Sequence, residues 1–437
     1  MFEIREKPEM VERAMLVSIY FDPSEAGEKQ AMLDELEDLV SNLGIGIAGK
    51  HLVKSRDMHA KFLCGTGKAQ EVKQLALDCR ADCVVFDNML SPSQQREWER
   101  LVDECVIDRE EVILDIFARR ARTREATLQV ELARMQYSVR GMARMCNHVD
   151  RPGGGPGGGK GGGGAARGEG EKQIEVDRRL ARARIEAIQR ELVLVTRQRA
   201  TQRKERERQA VATAAIVGYT NAGKSSLLSL VSGSEVMARD MLFATLDTTT
   251  RKIELPHGQP LLLTDTVGFI RNLPHRLVEA FKSTLEEAVL ADFLIQVVDA
   301  SDPEAVRHYE TTLEVLNELG AGDKPMIVVL NKVDLVPEER RGALETLLAP
   351  HFSGRVVPMS VKEGNGEGDL LNACVEMLES RVRRARFLIP YTRSDLVAAM
   401  HSEGKVFSTE YVEEGTLLEA VLPVAFYNKL ESFLADR

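Results

Sequence analysis

Three observations place this chain of 437 residues in the α/β class. Short apolar runs with the length of buried strands alternate with segments of helical spacing, first over about 14–121 and again over about 210–381. A turn bearing two glycines and a lysine, Gly218 to Ser225, separates one such run from a helix-compatible segment. Two narrow apolar stripes at coiled-coil spacing flank a glycine run. The expected architecture is a larger α/β domain built on a phosphate-binding loop. A small α/β domain with a long antiparallel helical hairpin precedes it, and a small α+β domain follows. The expected boundaries are 1–122, 123–208 with a glycine-rich tip over 151–170, 209–382 and 383–437.

In the first domain, Ala14 to Tyr20 reads as a strand and Lys29 to Leu43 as a helix. Asp82 to Asp87 is a second strand, and Pro92 to Leu101 a helix carrying the only tryptophan, Trp98. Gly65-Thr66-Gly67-Lys68 lacks the spacing of a phosphate loop and the hydroxyl after its lysine. It is expected to be a strand-to-helix turn, with a nucleotide or RNA contact as the alternative. The hairpin is predicted from Leu128, Leu132, Met135, Val139 and Met142, and from Ala181, Ile185, Ile188, Leu192 and Val195, which should pack together as core. Adjacent antiparallel helices need only a few connecting residues. The glycine-rich connection is far longer and carries Arg151, Lys160 and Arg167, so these three are candidate RNA contacts. A flexible linker is the plainer reading. From Glu171 to Arg208, twelve Lys and Arg face seven Asp and Glu, a local positive excess in a chain of net charge −10. Any RNA contact must therefore be local.

The larger domain carries the chemistry. Gly218-Tyr219-Thr220-Asn221-Ala222-Gly223-Lys224-Ser225 fits G-x-x-x-x-G-K-[ST], with strand-like Ala212 to Val217 before it and a helix from Ser225 and Ser226 after it. Such a loop aims backbone N–H groups and a helix N-terminus at a phosphate chain. Lys224 would neutralise the β- and γ-phosphates, and Ser225 would offer its hydroxyl to Mg²⁺. Asn331-Lys332-Val333-Asp334 follows the apolar run Met326 to Leu330. An aspartate there accepts two hydrogen bonds from guanine, which adenine cannot supply; an unpaired buried carboxylate would reject adenine by roughly 10⁴-fold. Between these motifs, strand-like Leu261 to Asp265 opens Asp265-Thr266-Val267-Gly268. Asp265 would reach Mg²⁺ through a water, and the Gly268 N–H would meet the γ-phosphate. Phe243-Ala244-Thr245-Leu246-Asp247 reads as a switch, with Thr245 the second metal ligand and Thr248, Thr249 and Thr250 competing; a strand should follow. Ser360-Val361-Lys362, after Val356 to Met359, would offer backbone N–H groups to guanine O6. The bound nucleotide is thus expected to be GTP or GDP, and the domain a P-loop GTPase with Lys224, Thr245 and Gly268 as its catalytic set. Phe269 stands where many such enzymes place a water-orienting glutamine, so intrinsic turnover should be slow and stimulated by a partner. Asn221 either braces the loop or coordinates K⁺.

Composition is that of a globular chain, 43% hydrophobic and 29% charged, with no apolar run long enough for a membrane span and no secretion signal. The six cysteines lack paired metal spacing, so a reduced, cytoplasmic protein is expected, without a membrane partner and acting as a monomer. Arg381 to Arg386 reads as a basic linker. Beyond it come a strand from Phe387, a helix over Ser394 to Met400, strands around Val406 and Leu417, and a helix over Ala425 to Phe433.

The chain closely resembles the HflX family of translation-factor-class GTPases, in the Obg-HflX branch. Outside the nucleotide motifs, the resemblance rests on Val106-Ile107-Asp108-Arg109, Ile113 to Ala118, and Leu128 to Ala133. Phe243 to Asp247 and Asp265 to Ile270 also match, and support Thr245 as metal ligand. The glycine run is longer than the family's usual loop before Gly168-Glu169-Gly170-Glu171, and Ser360-Val361 replaces Ser-Ala. The resemblance implies association with ribosomes, at the large subunit near its peptidyl-transferase RNA and factor-binding region. It also implies a role in splitting stalled or idle ribosomes under stress. The alternatives are an RNA-remodelling enzyme driven by ATP or GTP, and a regulatory GTPase with a non-ribosomal partner.

Overall fold

The computed structural model describes residues 11–149, 176, 178–196, 211–233, 242–243, 245–256, 258–272, 282–348, 355–378 and 382–435. Ala244 and the RNA candidates Arg151, Lys160 and Arg167 lie outside the described residues. The described residues form two compact units, one of the chain up to Val195 together with Asn272, the other of Thr196, Val211 to Arg271 and the chain from Lys282 onward.

The first unit holds a parallel sheet in the order β2-β1-β3-β4, with β1 Arg13–Tyr20, β2 Gly46–Lys54, β3 Cys83–Phe86 and β4 Cys105–Asp108. Every residue from Ala14 to Ile19 is buried and all but Ser18 are apolar, the signature of a strand covered on both faces. β2 is an edge strand with mixed exposure, which is why its residues give no comparable signal. Helices α1 Ala26–Asn42, α2 Thr66–Asp78, α3 Pro92–Val102 and α4 Arg109–Arg120 connect and follow the strands. The start of α3 is written locally. The Ser91 hydroxyl accepts from the Gln94 N–H, the Gln94 side chain accepts from the Ser91 N–H, and Pro92 supplies a preset φ. Trp98 on α3 is fully buried between the rings of Phe62 and Phe86. Gly65 caps α2, but it is preceded by a tight bridged turn (His59 with Leu63, Phe62 with Cys64) rather than the expected strand.

Two helices, α5 Arg124–Val149 and α6 over 178–196, pack along the predicted stripes, with Leu128, Leu132 and Ile188 buried against Met135, Ile185, Leu192 and Val195. Arg124 pairs with Glu191 and Arg184 with Glu131 at 2.6 Å, so the helices run antiparallel.

The second unit contains a six-stranded sheet in the order β10-β9-β8-β5-β7-β6. Its strands are β5 Ala212–Gly218, β6 Thr249–Glu254, β7 Pro260–Asp265, β8 Phe293–Asp299, β9 Met326–Asn331 and β10 Val356–Pro358. All pair in parallel except β6, which is antiparallel to β7. Helices α7 Lys224–Ser232, α8 Lys282–Leu290, α9 Ala305–Glu318, α10 Glu338–Leu348 and α11 Glu367–Leu378 complete it. β7 and β8, consecutive strands in the chain, lie on opposite sides of β5, so the winding of the sheet switches direction there, and in open α/β sheets ligands bind beyond the carboxyl ends at such a point.

A three-stranded antiparallel sheet, β11-β13-β12, ends the chain, with β11 Val382–Ile389, β12 Lys405–Val412 and β13 Gly415–Pro423, plus helices α12 Ser394–Glu403 and α13 Val424–Lys429. Its core is Phe387, Ile389, Met400, Leu418, Ala420, Leu422, Phe426 and Leu430. Here the linker reading of Arg381 to Arg386 is overturned, because β11 begins at Val382. Ala385, Phe387 and Ile389 alternate into the core, while Arg384 pairs with Glu419 at 2.6 Å and lies over the Phe407 ring. A run of arginines hid the two-residue period.

Candidate nucleotide-binding site

The loop after β5 begins with a glycine that only glycine geometry permits. Gly218 has φ +143°, and a β-carbon there would lie 2.3 Å from the Val297 carbonyl oxygen. Gly223 closes the loop at φ +99° as the residue before α7. The segment after β7 lies alongside. The Phe269 N–H donates to Gly218 O at 3.1 Å, and the Thr220 N–H to Phe269 O at 2.8 Å. A β-carbon on Gly268 would stand 3.0 Å from Lys224 Nζ and 2.9 Å from Thr220 Cγ2. Close packing against the loop thus demands glycine there, a reason additional to the expected phosphate contact.

Lys224 is buried, and its Nζ donates to Tyr219 O at 2.6 Å. Burial lowers its pKa to about 8, opposed by the Asp265 charge. Burial likewise pushes the Asp265 carboxyl up, opposed by Lys224 and by two hydroxyls. Those hydroxyls are Ser225 and Thr245. Ser225 Oγ donates to Asp265 Oδ2 at 2.6 Å, Thr245 Oγ1 donates to the same oxygen at 2.7 Å, and the hydroxyls stand 2.6 Å apart. Asp265 Oδ1 and Thr220 Oγ1 are buried with no hydrogen-bond partner among the described residues. Three hard oxygen donors converging on one point, beside a buried carboxylate oxygen left unsatisfied, fit a magnesium ion. Of the competing threonines, Thr249 and Thr250 belong to β6, and the Thr250 hydroxyl is 2.9 Å from that of Thr264.

Asn331, at the end of β9, does what sequence reasoning did not foresee. Its Nδ2 donates to Ala222 O at 2.8 Å, and its Oδ1 accepts from the Val361 N–H at 3.1 Å. One buried side chain thus ties the phosphate loop to the loop after β10. The Val361 N–H, expected to face guanine O6, is spent on this contact. Ser360 is buried, with its backbone paired to Asn365. Lys332 takes a left-handed conformation, and its ammonium pairs with Asp299 at 2.6 Å. Asp334 stands in the short 3-10 turn Val333–Leu335 with its side chain exposed. The expectation of a buried carboxylate is corrected on this point: desolvation of Asp334 must come from the base that covers it.

The remaining residues brace the site. The Thr266 hydroxyl donates to Ile216 O at 2.7 Å, and Ala222, Val267, Phe243 and Leu246 are buried. Ser226 lies in the first turn of α7, while Asp247 and Lys362 sit in their loops. Asn221 is exposed at φ +60°, a left-handed conformation that asparagine tolerates better than most residues. Phe269 is buried and offers no polar atom to a water. Tyr219 stacks on His308, 3.7 Å between ring centroids, a contact no local motif signals. No helix among the described residues is long and apolar enough to cross a membrane.

Three family models match: "GTP-binding GTPase N-terminal" over residues 30–118, "GTP-binding GTPase Middle Region" over 120–206, and "50S ribosome-binding GTPase" over 213–332. The chain is 98% identical to GTPase HflX of Akkermansia muciniphila across the full length of both. It is 40% identical to GTPase HflX of Lacrimispora saccharolytica over 430 residues, 98% of each chain. With GTPase HflX of Escherichia coli it shares 38% identity over 421 residues, 96% of this chain and 95% of the other.

Proposed function

We propose that this chain, which belongs to the HflX family of GTPases, is a switch that binds the large ribosomal subunit in its GTP state and separates stalled or idle ribosomes. GTP binding and hydrolysis come with the family; the ribosomal target and the splitting are the inference. The match over 213–332 to a 50S ribosome-binding GTPase supports the target.

One observation carries the switch: Thr245, on the segment before β6, meets Ser225 and Asp265 at the phosphate loop. Ser225 and Thr245 would hold Mg²⁺ directly and Asp265 through a water; when bound, the ion offsets charge on the β- and γ-phosphates. Lys224 adds its cation beside the same phosphates, and the Gly268 N–H donates to the γ-phosphate. Asp334 accepts from guanine N1–H and N2–H₂. Loss of the γ-phosphate releases Thr245 and Gly268 together, which dissolves the partner surface they hold in place. The buried Phe269 leaves the attacking water unguided, so turnover is slow until a partner reshapes the segment. The cationic, glycine-rich stretch 151–170 is assigned to ribosomal RNA on its charge and length.

Pelleting through a sucrose cushion with isolated large subunits tests the reading. Binding should be tight with a non-hydrolysable GTP analogue and weak with GDP, and light scattering should show intact ribosomes dissociating only in the GTP arm. Equal pelleting in both states would remove the switch; pelleting without dissociation would remove the splitting activity.

A further inference from the structure

The phosphate loop is joined to the segment after Gly268 by more than its strand pairing. Tyr219 and Phe269 form a parallel bridge, and the two flanking hydrogen bonds carry the strand one step past Gly218. Beyond that bridge, the Arg271 N–H donates to the hydroxyl of Tyr219 at 2.9 Å in a buried environment. A phosphate-loop side chain thus reaches over its neighbour and holds the chain two residues further on. The ring that carries this hydroxyl is itself aimed. It lies flat on His308 of α9, with 8° between the planes. His308 Nδ1 stands 3.6 Å from Asp302 Oδ2, just before the start of the same helix. The Arg271 guanidinium is also directed toward the start of α9, pairing with Glu304 at 3.0 Å. Arg271 is therefore held by its amide to the phosphate loop and by its side chain to the next helix.

We propose that Tyr219 is a positioning residue for GTP hydrolysis. Its hydroxyl, aimed by the stack on His308, fixes where the segment Gly268–Arg271 leaves the sheet, and through it the placement of the Gly268 N–H. The tolerance is small, because a β-carbon's breadth is all that separates Gly268 from Lys224 and Thr220. With a phenylalanine at 269, backbone placement is the means this segment has to address the γ-phosphate. GDP has no γ-phosphate, so the effect falls on GTP in preference to GDP. The inference rests on the reading of Gly268 as a γ-phosphate contact.

The test uses the full chain. Tyr219→Phe keeps the ring and the stack and removes the hydroxyl alone. The ratio of affinities for a GTP analogue and GDP should fall three- to tenfold, the range of one buried hydrogen bond, and single-turnover hydrolysis should slow by a similar factor. His308→Leu removes the stack from outside the nucleotide site and should lower the same ratio, and His308→Phe, which restores a flat ring, should recover it. A Tyr219→Phe protein with the parent's ratio and rate would overturn the proposal, as would equal losses for both nucleotides. A His308→Phe variant no better than His308→Leu would overturn the part given to the stack. Gly268→Ala separates the two levels: if it leaves the GTP-to-GDP ratio intact, the γ-phosphate reading itself fails, whatever Tyr219→Phe does.

Discussion

Replacing Asn331 with alanine should damage two loops at once. The side chain, buried at 3% exposure, donates to Ala222 O and accepts from the Val361 N–H, so cutting it away takes a partner from each backbone group. Each orphaned backbone group costs about 1–3 kcal/mol, which puts the loss near 2–6 kcal/mol for the pair. About 3 kcal/mol appearing in GDP binding would be a loss of roughly 100-fold, with the remainder in unfolding free energy. Titration of a fluorescent GDP analogue, alongside urea unfolding of the nucleotide-free protein, measures the two parts. A cycle with Gly223→Ala sharpens the test. A β-carbon at Gly223 would sit 2.3 Å from Asn331 Nδ2, in addition to the strain at φ +99°. Gly223→Ala should therefore cost less in the Asn331→Ala background than in the parent. The bridge would be refuted by an Asn331→Ala protein that binds GDP within threefold of the parent and unfolds at the same urea concentration. Strict additivity in the cycle would refute the predicted collision.

Three further outcomes are expected. Asp334→Asn should move preference from GTP to xanthosine triphosphate by about 100-fold or more, since an amide cannot accept both guanine protons; competition binding measures it, and unchanged preference for GTP would place the base elsewhere. Thr245→Ala should raise the Mg²⁺ concentration needed for half-maximal binding of a GTP analogue by about tenfold and leave the requirement with GDP nearly unchanged; equal shifts would detach Thr245 from the switch. Asp108 tests the first unit. Burial pushes its carboxyl up to about 6, with Glu110 and Glu111 adding to the rise and the Leu90 and Glu111 amides opposing it. The folded state then holds a proton that the unfolded state has lost between about pH 4 and 6. Stability from this group is complete at low pH and is lost as pH rises through that window, by ~3 kcal/mol for a two-unit shift. Asp108→Asn, which keeps an acceptor at the N-terminus of α4, should gain up to that amount relative to the parent between pH 4 and 7; parallel urea curves at the two pH values would exclude it.

Much of the fold was legible along the chain because its central strands are buried on both faces. Ala14 to Tyr20, Ala212 to Val217 and Met326 to Leu330 read as mostly apolar runs, and the structure places each between parallel neighbours in a sheet. The hairpin was legible for a different reason: a stripe at helical spacing has few uses apart from facing another stripe. Where exposure mixes, the signal fades. The edge strand β2 has one buried residue, and β11 begins among arginines whose alternation becomes visible once β13 supplies Glu419 as a partner. At the site, the glycines were legible as spacing, and Thr245 as one hydroxyl among several. Its nearness to Ser225 and Asp265 was expected through the metal assigned to all three; the structure supplied the direct hydrogen bonds that join them, across up to forty residues of chain.

What the sequence determined by itself is chemistry that local backbone geometry dictates: a phosphate loop between a strand and a helix, a candidate acid for guanine at the end of a strand, and glycines where a side chain has no room. Those features follow from a few consecutive dihedral angles and hydrogen-bonding groups, which neighbouring residues are sufficient to specify. The tertiary structure decided which distant groups share an atom's reach. It set Asn331 between two loops, left Asp334 exposed, and laid Tyr219 against His308 with Arg271 at its hydroxyl. Such contacts depend on how β5, β7 and β9 register and on where α9 packs, and sheet register is settled by the burial of all the strands together rather than by any one segment.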